Sequence, residues 1–189
     1  MSCFVTSDLT VCAIVQGMQR FGFIDDPERI EGGTEEQIKE ATETIEDMAD
    51  ALRCVNERMV CKRYGEEYRG SDAVDLGQSR EFTDAEIFTS CRCWLYQVDN
   101  GEHMSLDEIT IKAGVQMLAE TIVSRGLEAG TWKTDYLLGQ NVYYTRDEYG
   151  DWADVYNLAE WDLAAEETIT EPERMPREIG AFACLYCML

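Results

Sequence analysis

Residues 34–64 read TEEQIKEATETIEDMADALRCVNERMVCKRY, and no other stretch of the chain separates acidic from apolar residues so completely. At about 100° per residue, Glu36, Glu40, Glu43, Asp47 and Asp50 fall within ~80° of arc. Ile38, Ala41, Ile45, Met48, Ala49 and Leu52 fall on the opposite side. Thr34 with Gln37 makes a capping box, and Gly65 suits a left-handed C-terminal cap, so one long amphipathic helix is predicted from Thr34 to Tyr64. A helix this long predicts a kink or break near Asn56. Its acidic face carries roughly one carboxylate every 5 Å, nearer the charge spacing of a nucleic-acid strand than that of an ordinary solvated helix.

The flanking sequence extends the helical pattern. Ser7 or Asp8 caps a helix carrying Val11, Ile14, Val15 and Met18, ended by Phe21-Gly22-Phe23. Residues 25–33 form a loop with Pro27 and Gly32-Gly33 as breakers, and residues 67–79 form another. Thr83 and Glu86 start a third helix through Ile87, Phe88, Cys91, Trp94 and Leu95, closed by Asn100-Gly101. Ser105 and Glu108 box a fourth, with Ile109, Ala113, Met117, Leu118 and Ile122 expected inward and Gly126 and Gly130 ending it. Beyond Thr131 the character changes. Asn141–Thr145 and Trp152–Asn157 flank Asp147-Glu-Tyr-Gly150, the pattern of a β-hairpin. Residues 182–189 are apolar enough for a last buried strand or helix. The expected class is α+β, mainly α: about four helices and a small C-terminal antiparallel β element. One domain over 1–189 is expected, with a helical core at 1–130 and the hairpin and acidic element at 131–189.

Thirty-eight acids against sixteen bases give 189 residues a net charge of −22. Such a field repels nucleic acid and anionic membranes and attracts basic protein surfaces. The charge is clustered: residues 25–50 hold eleven acids and two bases, net −9, and residues 147–178 repeat that count. Residues 52–69 are instead locally basic, with five bases against three acids. A hydrophobic fraction of 45% excludes wholesale disorder, and no apolar run approaches the ~20 residues of a membrane span. With no basic stretch before the first apolar segment, a cytoplasmic location is expected. The eight cysteines are then expected reduced. Cys12, Cys54 and Cys61 read as small core residues. Cys91, Cys93, Cys184 and Cys187 form two close pairs that suit a four-thiolate zinc site by residue type. A C-x-C spacing on a helix, however, points its two side chains about 200° apart.

No catalytic motif is present. His103, the only histidine, sits in a polar linker, and there is no nucleophile elbow, phosphate-binding glycine loop or calcium loop. No cofactor is expected, and the chain reads as a non-enzyme.

Three short segments carry a resemblance: Met1-Ser-Cys-Phe4, Asn56-Glu-Arg58 followed by Lys62-Arg-Tyr-Gly65, and Cys93-Trp-Leu-Tyr-Gln97. In this order they resemble small, mostly uncharacterised proteins carried by phages, plasmids and other mobile elements, over about residues 1–132. The long acidic helix and acidic C-terminal third depart from that pattern. The resemblance implies a setting in a bacterial host cell, where such accessory proteins often oppose host defence as anti-CRISPR or antirestriction proteins.

Setting and charge converge on one expectation: a nucleic-acid mimic that occupies the Lys/Arg-lined groove of a defence nuclease or ribonucleoprotein complex, without binding nucleic acid itself. Glu36, Glu40, Glu43, Asp47 and Asp50 form the first candidate contact surface. Asp151, Asp154, Glu160, Asp162, Glu166 and Glu167 form the second, with Tyr144 and Trp152 as aromatic anchors beside Tyr143 and Tyr149. Two alternatives stand beside it. One is a structural or regulatory protein whose acidity serves solubility and whose hairpin forms a homodimer. The other is a metal-dependent hydrolase using the clustered carboxylates.

Overall fold

The computed structural model describes residues 7–98 and 104–156. Four α-helices, α1 (Asp8–Arg20), α2 (Glu35–Tyr64), α3 (Asp84–Val98) and α4 (Leu106–Ala129), precede three strands, β1 (Trp132–Leu137), β2 (Gln140–Arg146) and β3 (Trp152–Asp154). The mainly helical α+β class read from the sequence is the class observed.

Caps set the helix starts. Ser7 Oγ accepts the Thr10 amide at the head of α1. Thr34 and Gln37, Thr83 and Glu86, and Ser105 and Glu108 exchange reciprocal bonds that satisfy otherwise orphaned amides at the heads of α2, α3 and α4. Gly65 and Gly130 take the left-handed conformation that ends α2 and α4.

The core is organised around α3, where every residue from Ala85 to Cys91 is buried. Its Trp94 indole donates to the Leu52 carbonyl of α2 at 2.9 Å, pairing a buried polar N–H that would otherwise be costly. On the opposite flank the Phe88 ring meets Trp132 at 5.5 Å and Tyr143 at 5.3 Å, edge on, which seats the sheet against the helices. Gly17 of α1 lets that helix approach Ile87 and Leu118, and a Cβ there would stand 3.0 Å from Leu118. The connection from α2 to α3 is lashed to α1: Gln16 bonds the Arg80 carbonyl and the Phe82 amide, and Arg20 bonds Asp84 and the Phe82 carbonyl.

Several expectations are corrected. Helix α2 runs unbroken through Asn56, because the Asn56 amide is fully buried and donates to Gln97 of α3 rather than competing with the helix backbone. On α4 the buried face is Val115, Leu118, Ala119, Ile122 and Gly126, leaving Ile109, Ala113 and Met117 exposed. That helix is apolar on two sides, so periodicity alone does not choose between them. Gly126 is an interior packing residue, not a terminator. Strand β1 is an addition to the expected hairpin; it pairs antiparallel with β2, and β2 pairs with β3 around the expected Asp147–Gly150 turn. The expectations for Met1–Val5, Asn100-Gly101, His103 and residues 157–189 lie outside the described residues.

Candidate partner-binding surface

Helix α2 outreaches its neighbours. Thirty residues span about 45 Å, against ~20 Å for α1 and ~22 Å for α3. Its second half docks in the core through Leu52, Val55, Asn56, Met59 and Val60. Among the described residues its first half is supported by the short 3₁₀ turn Pro27–Arg29 and through Ala41, Ile45 and Met48. Ile38, placed on the apolar side by periodicity, is 39% exposed, because the core has ended before the helix begins.

Glu36, Glu40, Glu43, Asp47 and Asp50 are all exposed on the outer face. Their surroundings differ. Glu43 pairs with Lys39 at 3.4 Å across one helical turn. Asp50 accepts the Val74 amide at 3.0 Å and so also holds the following loop. Among the described residues no hydrogen bond or ion pair engages the carboxylates of Glu36, Glu40 and Asp47. The preceding loop adds Asp25, Glu28 and Glu31, all exposed, while Asp26 is tied to the Glu28 amide and to Arg29. The bases of α2 are used differently. Arg53 reaches Asp8 and Glu57, and Arg58 reaches Glu108 of α4. Arg53 and Arg58 are therefore turned inward to join α2 to α1 and α4, while Lys39, Lys62 and Arg63 stay exposed beside the acids.

The second expected patch is less coherent. Asp151 is exposed at the β2–β3 turn, but Asp154 is half-buried and accepts the Tyr156 amide at 2.9 Å, a local structural bond. Glu160, Asp162, Glu166 and Glu167 lie outside the described residues. Tyr144 and Trp152 are half-buried aromatics under cations: Lys133 lies 4.9 Å from the Tyr144 ring and 5.1 Å from Trp152, and Arg146 lies 3.9 Å over Trp152. Such stacking spends both rings on sheet cohesion. More open aromatics of this region are Tyr149, at 82% exposure, and Tyr136, at 72%.

Cys91 is fully buried and burial pushes its thiol pKa up, whereas Cys93, two residues on, is exposed. The pair diverges as helical geometry requires, and Cys184 and Cys187 lie outside the described residues. Cys12 is buried as expected, its thiol pushed up to about 11 by burial and then by the nearby Asp75 charge. Cys54 and Cys61 are only half-buried, because they flank the α2 stripe rather than occupy it. Among the described residues no group of three or more His, Cys, Asp or Glu side chains converges to hold an ion. A recess of about 420 Å³ lies between the head of α3 and the β2–β3 turn, but its Glu86 carboxylate is occupied by Arg80 and the Thr83 amide.

Comparison with protein-family models, with curated proteins and with solved structures finds no match. Among the described residues no helix is long and apolar enough to cross a membrane.

Proposed function

We propose that this protein is a non-catalytic inhibitor of a bacterial host-defence complex, of the anti-CRISPR or antirestriction type, acting in the host cytoplasm. Its partner is a basic nucleic-acid-binding protein or ribonucleoprotein, and the acidic face of α2 occupies the groove that normally holds the nucleic-acid backbone. The observation that carries this reading is the exposed row Glu36, Glu40, Glu43, Asp47 and Asp50 on the first half of a helix whose second half is anchored in the core. A rigid helix holds its charges at fixed spacing, so the ordering cost of binding is small. Rows of carboxylates also steer association with a Lys/Arg-lined groove.

The test is cleavage of plasmid DNA by a panel of purified CRISPR effector complexes and restriction endonucleases, with and without the protein. Inhibition of at least one member is expected, without degradation of the nuclease or of the DNA. The Glu40→Lys, Glu43→Lys, Asp47→Lys triple variant should lose that inhibition. At about 1 kcal/mol or more per charge in a partly desolvated groove, binding weakens by roughly a hundredfold or more. Full inhibition by a folded triple variant would remove the ladder from the contact.

A further inference from the structure

The sheet has the order β1-β2-β3, so β1 is an edge, and among the described residues no strand lies on its outer side. Thr134, Asp135, Tyr136 and Leu137 are all exposed along it. Its backbone orientation follows from the register. Leu137 and Gln140 flank a two-residue turn, and Asp135 and Lys133 oppose Val142 and Tyr144. In such a hairpin the pair flanking the turn is hydrogen-bonded, and so is every second pair after it. The amides and carbonyls of Leu137, Asp135 and Lys133 therefore face β2, and those of Thr134 and Tyr136 face outward, with no strand paired to them among the described residues. An edge like this is a template for another strand.

We propose that β1 pairs antiparallel with β1 of a second copy about a twofold axis at Thr134, joining two three-stranded sheets into one. Charge selects both the occupant and the register. With Thr134 opposite Thr134 of the other copy, Lys133 of each stands opposite Asp135 of the other, so two opposite-charge pairs form. The same register exchanges the outward-facing groups of the two Thr134 residues and sets Tyr136 beside Trp132 of the other copy. Shifting the axis by one residue either way sets Lys133 against Lys133 or Asp135 against Asp135, which is unfavourable. The contact is isologous, as a twofold dimer requires. Overall charge does not forbid it: within residues 131–146, Lys133 and Arg146 stand against Asp135, net +1 in a chain of −22. Two copies thus meet at a segment that is not negative, apart in sequence from the acidic helix.

Sedimentation of the full chain across a concentration series tests this. The wild-type chain should reach the mass of a dimer. Asp135→Lys alone and Lys133→Asp alone each turn both cross-strand pairs repulsive and should weaken self-association about tenfold or more. Mixed together, the two variants regain both opposite-charge pairs and should form a one-to-one heterodimer. Thr134→Pro removes an outward amide without touching the β1–β2 ladder and should give a folded monomer. Lys133 also packs on Tyr144 and Trp152, so if Lys133→Asp proves unfolded by circular dichroism, Thr134→Pro decides alone. A wild-type monomer at every concentration, a dimer that survives Thr134→Pro, or folded charge variants that fail to pair on mixing would each overturn the proposal.

Discussion

Gly126 lies in the last turns of α4 directly against the indole of Trp132, so close that a Cβ at this position would stand 2.5 Å from the ring. The absence of a side chain lets β1 begin one short turn after α4 ends, with Trp132 buried between that helix and Phe88. Gly126→Ala is expected to destabilise the fold despite alanine's better helix propensity. Overpacking costs typically 1–3 kcal/mol and the propensity gain is about 1 kcal/mol, so a net loss of ~1 kcal/mol is expected in urea unfolding.

The acid ladder repels itself. Glu36 with Glu40 and Glu43 with Asp47 are like charges one helical turn apart, each unfavourable by about 0.2–0.5 kcal/mol. In the triple Lys variant that tests inhibition, the pair at positions 36 and 40 turns attractive and the chain becomes less negative. The pair at 43 and 47 stays like-charged, and the Lys39–Glu43 ion pair is lost. Helical circular dichroism should therefore be kept, and the melting temperature should stay close to that of the wild type. Raising salt from low ionic strength to ~0.15 M should raise the melting temperature of the wild-type chain more than that of the variant, because there is more repulsion to screen.

Burial pushes the Glu86 carboxyl up, but hydrogen bonds and charge from Arg80, with the Thr83 amide, outweigh it and hold the group below the usual Glu range. A carboxylate with a depressed folded pKa contributes stability above its unfolded value, and that contribution is lost as pH falls through the folded one. Glu86→Gln should cost about 1.5–3 kcal/mol at neutral pH, the value of bonds to a charged acceptor. The gap between wild type and variant should close as pH drops below the ordinary Glu range of about 4.3. Denaturant titrations at a series of pH values measure it.

Cys91 and Cys12 are buried with raised thiol pKa values, while Cys93 is exposed. Thiolate is the reactive form, so a short iodoacetamide pulse on the native protein should label Cys93 and spare both of the others. Peptide mass mapping reads this directly, and denaturant should remove the difference.

Leu138 sits at the tip of the β1–β2 hairpin with φ 51°, a left-handed conformation that L side chains avoid, and it is 92% exposed. With Gly139 at φ 87° it forms a turn of positive-φ residues, where Asn-Gly is the favoured pair. Leu138→Asn should stabilise the fold by roughly 1 kcal/mol, since relief of left-handed strain on this scale loses no buried contact. A rise in melting temperature would show it.

What the sequence determined alone was local, though not every local feature: the Leu138-Gly139 turn is local and was not legible. Caps, terminators and the segregation of acids from apolar residues on α2 depend on neighbours within a turn or two, so Thr34, Gln37, Gly65 and the five ladder carboxylates were all legible. The β2–β3 turn was legible for the same reason, through Asp147 and Gly150. Tertiary structure alone decided which of two apolar faces α4 would bury. Leu118 and Ile122 were read correctly, but Met117 and Ile109 differ from them only in where α3 happens to lie. It also decided that Gly126 was a contact rather than an end, and that Arg53 and Arg58 would join helices while their acidic neighbours stayed in water. Strand β1 escaped for a related reason: from Thr134 onward it is exposed on both faces, so no alternation of apolar and polar residues marks it. Periodicity reports that a face can be buried, and only the partner that arrives determines whether it is.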